Sequence, residues 1–97
     1  MKYPNIPLIN NETAHHFELS IDDMLAFIDY KLKGDKIYLI HTEVPEAMEG
    51  MGVAAALVEK TFNYIEEHQL KIIPLCTYIV AFLKRHPEWT RLMAIHE

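Results

Sequence analysis

Cysteine is almost missing from this 97-residue chain, with Cys76 standing alone. An internal disulfide is therefore excluded, and a cysteine-based zinc site is argued against, so the thiol is either inert packing or a reagent. Glycine is scarce too, at three residues. Positive charge is in the minority: nine Lys and Arg face fourteen Asp and Glu, for a formal net charge of -5. That balance excludes a general attraction to nucleic acid or an anionic membrane, and an anionic ligand needs locally placed donors. No apolar run is long enough to span a bilayer. The first residues, "MKYPNIPLIN", lack the hydrophobic centre and small-residue cleavage site of a signal peptide, so a cytoplasmic protein is expected. His15, His16, His68 and His96 are scattered without paired ligand spacing, and no metal site is assigned.

What is present is the composition of an ordinary folded domain, 51% hydrophobic and 24% charged. Residues 1–97 make one domain with a single core. No internal repeat, linker or low-complexity segment interrupts it, and the five prolines sit where elements begin or end.

The first half of the chain has strand patterning. "HFELS" (16–20) alternates, "SIDD" (20–23) supplies turn residues, and "MLAFIDYKL" (24–32) follows, which predicts an antiparallel hairpin. A turn at Lys33-Gly34-Asp35 leads into "KIYLIHTEV" (36–44), rich in β-branched and aromatic residues and apolar on both sides up to His41. It is expected to be a central strand. A short strand near Ile6–Ile9, bracketed by prolines, is expected at an edge.

The second half changes period. From Val53 to His68, Ala54, Leu57, Val58, Phe62 and Ile65 recur at helical spacing, which predicts an amphipathic helix of about four turns. "KIIPL" (71–75) is then a short buried strand parallel to the one ending at Val44. A second helix from about Thr77 to Arg85 stops before Pro87. The predicted fold is α/β, a mixed, mostly antiparallel sheet with two helices.

"VPEAMEGMGVAAALV" (44–58) places Gly50 and Gly52 between a strand and a helix. The first N–H groups of that helix have no intrahelical partners, and glycine lets a ligand approach them. The dipole adds roughly half a positive charge, which favours phosphate or pyrophosphate. The same glycines also suit a plain turn. A Walker-type P-loop is excluded because no Gly-Lys-Ser/Thr follows, and a third glycine at the dinucleotide-fold spacing is missing.

Glu49-Gly50-Met51-Gly52-Val53-Ala54 resembles the acyl-CoA loop of GNAT-type N-acetyltransferases, Q/R-x-x-G-x-G/A, with Gly52 and Ala54 matching and Glu49 replacing the usual Gln or Arg. With "HTEVPEAMEGMGVAAALVE" and "KIIPLCTYIVAFLKRHPEW" included, residues 8–89 resemble the short GNAT-like family of about a hundred residues. The resemblance implies a minimal GNAT-like fold that stops after the fifth strand and its helix, with an unusually open active site. It further implies acetyl-CoA or coenzyme A as donor, an amine acceptor of unknown identity, and a backbone cradle from Gly50, Met51, Gly52, Val53 and Ala54. Glu43 and Val44 inherit the pantetheine contact, and the Val44 N–H the thioester oxyanion.

Cys76 follows "KIIPL" and precedes the second helix, a place that favours the thiolate, although a small buried hydrophobe is the plain alternative. In the short family this cysteine lies beside the CoA sulfur. An acyl-Cys76 route and direct attack by the amine then compete. His41 stands where larger relatives place a base; otherwise it is a strand histidine bonded to a neighbour. Thr42 faces the opposite side from His41, so one of the two points to the acceptor. By the same resemblance Tyr78 could protonate the leaving CoA thiolate. Lys84, Arg85 and His86 lie near the nucleotide end, or simply complement the helix dipole. The other functional class open at this point is a non-catalytic CoA-binding or protein-interaction module.

Overall fold

The computed structural model describes residues 3–94. Five strands form one sheet in the order β1 (Ile9–Asn11), β2 (His16–Ile21), β3 (Met24–Lys33), β4 (Lys36–Glu43), β5 (Lys71–Pro74). The first four pair antiparallel, and β5 adds parallel to β4 after the crossover helix α1 (Val53–Glu67). Helix α2 (Thr77–Arg85) follows, then a 3-10 segment, Pro87–Leu92. Beyond it, Met93 bridges in parallel to Ile72 and carries the chain along the free side of β5. The early edge strand lies at Ile9–Asn11 rather than Ile6–Ile9, because Pro7 cannot donate to the ladder.

The hairpins form where their turn residues allow. Asp22 and Asp23 both take positive φ, 51° and 64°, which suits the two-residue link that pairs Ile21 with Met24.

The core lies on one side of the sheet. Phe17 and Leu19 of β2, Ala26, Ile28 and Tyr30 of β3, Ile37 and Leu39 of β4 and Ile72 of β5 are all buried. Their alternates His16, Glu18, Phe27, Asp29, Tyr38 and Ile73 are only half-buried. Both helices cover the buried side: Phe62 of α1 meets Phe82 of α2 edge to face, ring centroids 5.7 Å apart. The described residues thus form two layers, and among them no helix covers the other sheet face, the bare one. The apolar residues on both sides of β4 do not mark a doubly covered strand, since Ile40 is 43% exposed.

Edge strand β1 is tied to the helix layer by polar contacts. The Tyr30 hydroxyl donates to Asn10 Oδ1 at 2.6 Å, and Asn10 Nδ2 donates to the Tyr64 hydroxyl at 3.0 Å.

Among the described residues, one buried side-chain polar group in this core has no partner. Thr61 of α1 is fully buried and its hydroxyl makes no hydrogen bond. Valine has the same shape without the stranded oxygen, so Thr61→Val is expected to stabilise the fold by about 1 kcal/mol. For a domain of this size that raises the melting temperature by roughly 4–8 °C, measured by thermal denaturation.

Candidate functional site

The site grows from an irregularity in β4. Along β3 and β4, Ile28 pairs with Thr42 and Asp29 with His41, but Tyr30 pairs with Leu39, so Ile40 is an extra, unpaired residue. Such a bulge reverses the alternation of the strand. Before it, Ile37 and Leu39 face the helices; after it, Thr42 takes that side, opposite buried Ile28. His41 and Glu43 turn to the bare face, where His41 Nε2 lies 2.9 Å from Glu43 Oε1 with both side chains more than half exposed.

On its other edge β4 loses its neighbour at the same level. Pairing with β5 ends at Leu39 and Pro74, and the N–H groups of Leu75 and Cys76 both donate to the Leu39 carbonyl, at 2.9 and 3.0 Å. The two parallel strands part there, and β4 runs on to Glu43 without β5 beside it.

Cys76 sits just past the fork as the N-terminal cap residue of α2, its Sγ 3.4 Å from the Thr42 hydroxyl. It is nearly buried. Burial pushes the thiol pKa up, but the Thr42 hydroxyl and the backbone N–H groups at the start of α2 more than offset this and hold it below its usual value. Those N–H groups, of Tyr78 and Ile79, act without closing a regular cap bond.

After β4 the chain makes a short 3-10 turn, Glu46–Met48, and reaches the two glycines. Gly50 and Gly52 take φ of 79° and 76°, left-handed backbone that side chains disfavour. Gly52 is the cap residue of α1 and brings no side chain to it. The first helical bond runs from the Ala56 N–H to the Gly52 carbonyl, 3.1 Å, so the N–H groups of Val53, Ala54 and Ala55 precede it. The first turn also contains no carboxylate to complement the dipole. The loop is braced from far away in sequence by Tyr3, whose hydroxyl donates to the Met51 carbonyl at 2.9 Å.

The glycine loop and the start of α1 border a cleft of about 260 Å³, which Cys76 and Thr42 do not line. Val44 closes its β4 side, Gly50, Gly52, Val53 and Ala54 its loop side, and Tyr78 of α2 the third. Burial raises the Tyr78 pKa, with Arg85 pulling the other way, so its phenol keeps its proton at neutral pH. Glu49 also lines the cleft, a negative side chain beside the donors. Two clefts of similar size, about 280 and 270 Å³, lie near Arg91 and near Lys84; neither is lined by the first turn of α1 or α2.

Val44, the glycine loop and Tyr78 line the cleft at the start of α1 and Cys76 stands at the fork, whereas Lys84, Met51, His41, Glu43 and His86 direct their side chains elsewhere. Met51 exposes its side chain and offers backbone alone. The His41 and Glu43 side chains occupy the other sheet face. His86 packs its ring on Phe82, centroids 4.3 Å apart, with Nδ1 3.8 Å from Glu88. Thr42 as partner of Cys76 depends on the bulge, and Tyr3 joins the loop across 48 residues of sequence. Neither has a local sequence signal. Among the described residues no cluster of His, Cys, Asp or Glu could hold a metal ion, and no helix is long and apolar enough to cross a membrane.

The family model for the GCN5-related N-acetyl-transferase matches residues 16–92. Protein NATD1 of Xenopus tropicalis is 36% identical over 63 residues, which is 64% of this chain and 58% of that protein. Its Danio rerio counterpart is 38% identical over 63 residues, covering 57% of that protein. The chain thus spans under two thirds of the curated relatives it matches. A solution structure of a GCN5-like protein from Staphylococcus aureus superposes with a TM-score of 0.72 at 25% identity, covering 97% of this chain and 93% of that one.

Proposed function

The chain belongs to the GCN5-related N-acetyltransferase family, and from that premise we propose that it moves an acetyl group from acetyl-CoA to an amine. The observation that carries this reading is the uncapped start of α1 behind two left-handed glycines, opening on a cleft beside the fork between β4 and β5. The N–H groups of Val53, Ala54 and Ala55 would take the pyrophosphate of coenzyme A. The free edge of β4 at Glu43 and Val44 would take the pantetheine arm, leaving the Val44 N–H to stabilise the thioester oxyanion.

In this reading Cys76 accepts the acetyl first, with direct attack by the amine on the CoA thioester as the competing route. As thiolate, Sγ attacks the carbonyl carbon, the bond to the CoA sulfur breaks, and the leaving thiolate takes the Tyr78 proton. The amine then attacks the Cys76 thioester, Sγ leaves as thiolate, and the proton the amine gives up passes through solvent to the Tyr78 phenolate, which restores the starting state. His41, its ring held by Glu43 on the bare sheet face, would act as base in the competing route, in which the amine attacks the CoA thioester directly through the fork from that side. Such chemistry needs a reduced thiol, which fits a cytoplasmic setting.

Calorimetric titration with coenzyme A, together with acetyl-CoA consumption over a panel of amines, tests the reading. Micromolar binding and turnover are expected. No binding, and no rise in melting temperature with saturating ligand, would sink it; binding without turnover would select a non-catalytic CoA-binding module. Glu49→Gln sharpens the test. Removing a negative charge from beside the phosphates should tighten CoA about two- to five-fold, an effect that shrinks as salt is raised.

A further inference from the structure

Resting on that reading, we propose that Thr42 is the positioning residue for Cys76: its hydroxyl donates a hydrogen bond to Sγ that holds the sulfur at the fork and favours its nucleophilic form. Thr42 reaches the thiol only because the bulge at Ile40 reverses the alternation of β4. Without the extra residue, His41 would take the helix side, and an imidazole would stand in the place of the hydroxyl. The bulge therefore decides which side chain meets the sulfur. It also separates two functions along four residues, with a thiol partner on one face and a carboxylate-held imidazole on the other.

The hydroxyl suits this task. It lies 3.4 Å from Sγ, a normal separation for a bond to sulfur, and either atom can donate, so the contact survives loss of the thiol proton by reversing its direction. Among the described residues it is also the one side chain that hydrogen-bonds the thiol. From α2 the groups facing Sγ are the backbone N–H groups of Tyr78 and Ile79, and from β4 they are Thr42 itself. Among the described residues no charged side chain acts on it: His41 and Glu43 lie across the sheet, and Arg85 acts on Tyr78. Removing one neutral donor should therefore move the titration of Cys76, with no nearby charge to mask the change.

Cys76 is the only thiol in the chain, so its reactivity can be followed without interference. The experiment measures the rate of alkylation by iodoacetamide against pH, using intact-mass detection, for the wild type, Thr42→Val, Thr42→Ala and Thr42→Ser. Each protein is first checked for cooperative unfolding. The wild-type profile should turn at a lower pH than that of a free cysteine. Thr42→Val and Thr42→Ala should turn at a higher pH and react about three- to ten-fold more slowly at neutral pH, while Thr42→Ser should restore the wild-type midpoint. A merely structural role would lower stability without moving the midpoint. If both Thr42→Val and Thr42→Ala, folded, titrate with the wild-type midpoint, the positioning role is overturned. Alkylation needs no acetyl-CoA, so this outcome is independent of whether the protein binds coenzyme A. A shifted midpoint in a protein that binds none upholds the role of Thr42 and removes the acyltransferase reading instead.

Discussion

Replacing Gly52 with valine is expected to weaken coenzyme A binding ten-fold or more, about 1.4 kcal/mol or greater. Two effects add. A β-branched side chain at φ 76° forces the cap residue out of its left-handed conformation, which re-aims the N–H groups that follow it. The side chain also stands where the phosphates must approach the backbone. The strain costs stability by itself, about 1–2 kcal/mol, so the comparison needs a matched control. Gly34 provides one. It holds φ 63° in the β3–β4 turn, with nothing within 4 Å of an added Cβ, and it is remote from the loop. Gly34→Val should lose comparable stability while binding coenzyme A normally. Equal affinity in Gly52→Val and the wild type, by calorimetric titration, would refute the backbone cradle.

Cys76→Ala should leave coenzyme A binding within about two-fold and lower turnover by at least about 100-fold, because the residual rate then rests on proximity alone. The side chain removed is small, so the loss of stability should be near 1 kcal/mol. Brief mixing of wild-type protein with acetyl-CoA, without acceptor, should add the mass of one acetyl group at Cys76. The pH dependence follows from the lowered thiol pKa. Thiolate is the reactive form, so acetylation of Cys76 rises as pH rises through the thiol pKa, and it should persist to lower pH than the reaction of a free cysteine. A variant that turns over at the wild-type rate would show that the amine attacks the CoA thioester directly, with Cys76 as packing beside it.

The fold was legible where its cause is local. Helix α1 follows from apolar residues at helical spacing between Val53 and Ile65, and the structure buries Leu57, Val58, Phe62 and Ile65 as that spacing requires. Helix α2 ends at Arg85, two residues before Pro87. The hairpins follow from Asp22-Asp23 and Gly34, residues that tolerate positive φ. The parallel place of β5 follows from the helix that must intervene. The resemblance to the acyl-CoA loop also lies within six consecutive residues, inside the span matched by the family model.

The site was legible in its backbone and much less so in its side chains. That Gly50 and Gly52 precede a helix start is a fact of the sequence. That the start is uncapped, free of carboxylate in its first turn and bordered by Val44 and Tyr78 depends on elements brought together from three parts of the chain. Tyr3 reaches the loop in the same way, through contact between distant segments.

What this sequence determined by itself is the set of elements, their order and the glycine turn, because periodicity, turn chemistry and chain direction act over a few residues. Only the tertiary structure decided the phase of β4. Strand alternation puts His41 and Thr42 on opposite sides, but which of them meets Cys76 depends on how many residues of β4 lie against β3. One unpaired residue, Ile40, sets that count, and it is a property of two strands in register rather than of either alone.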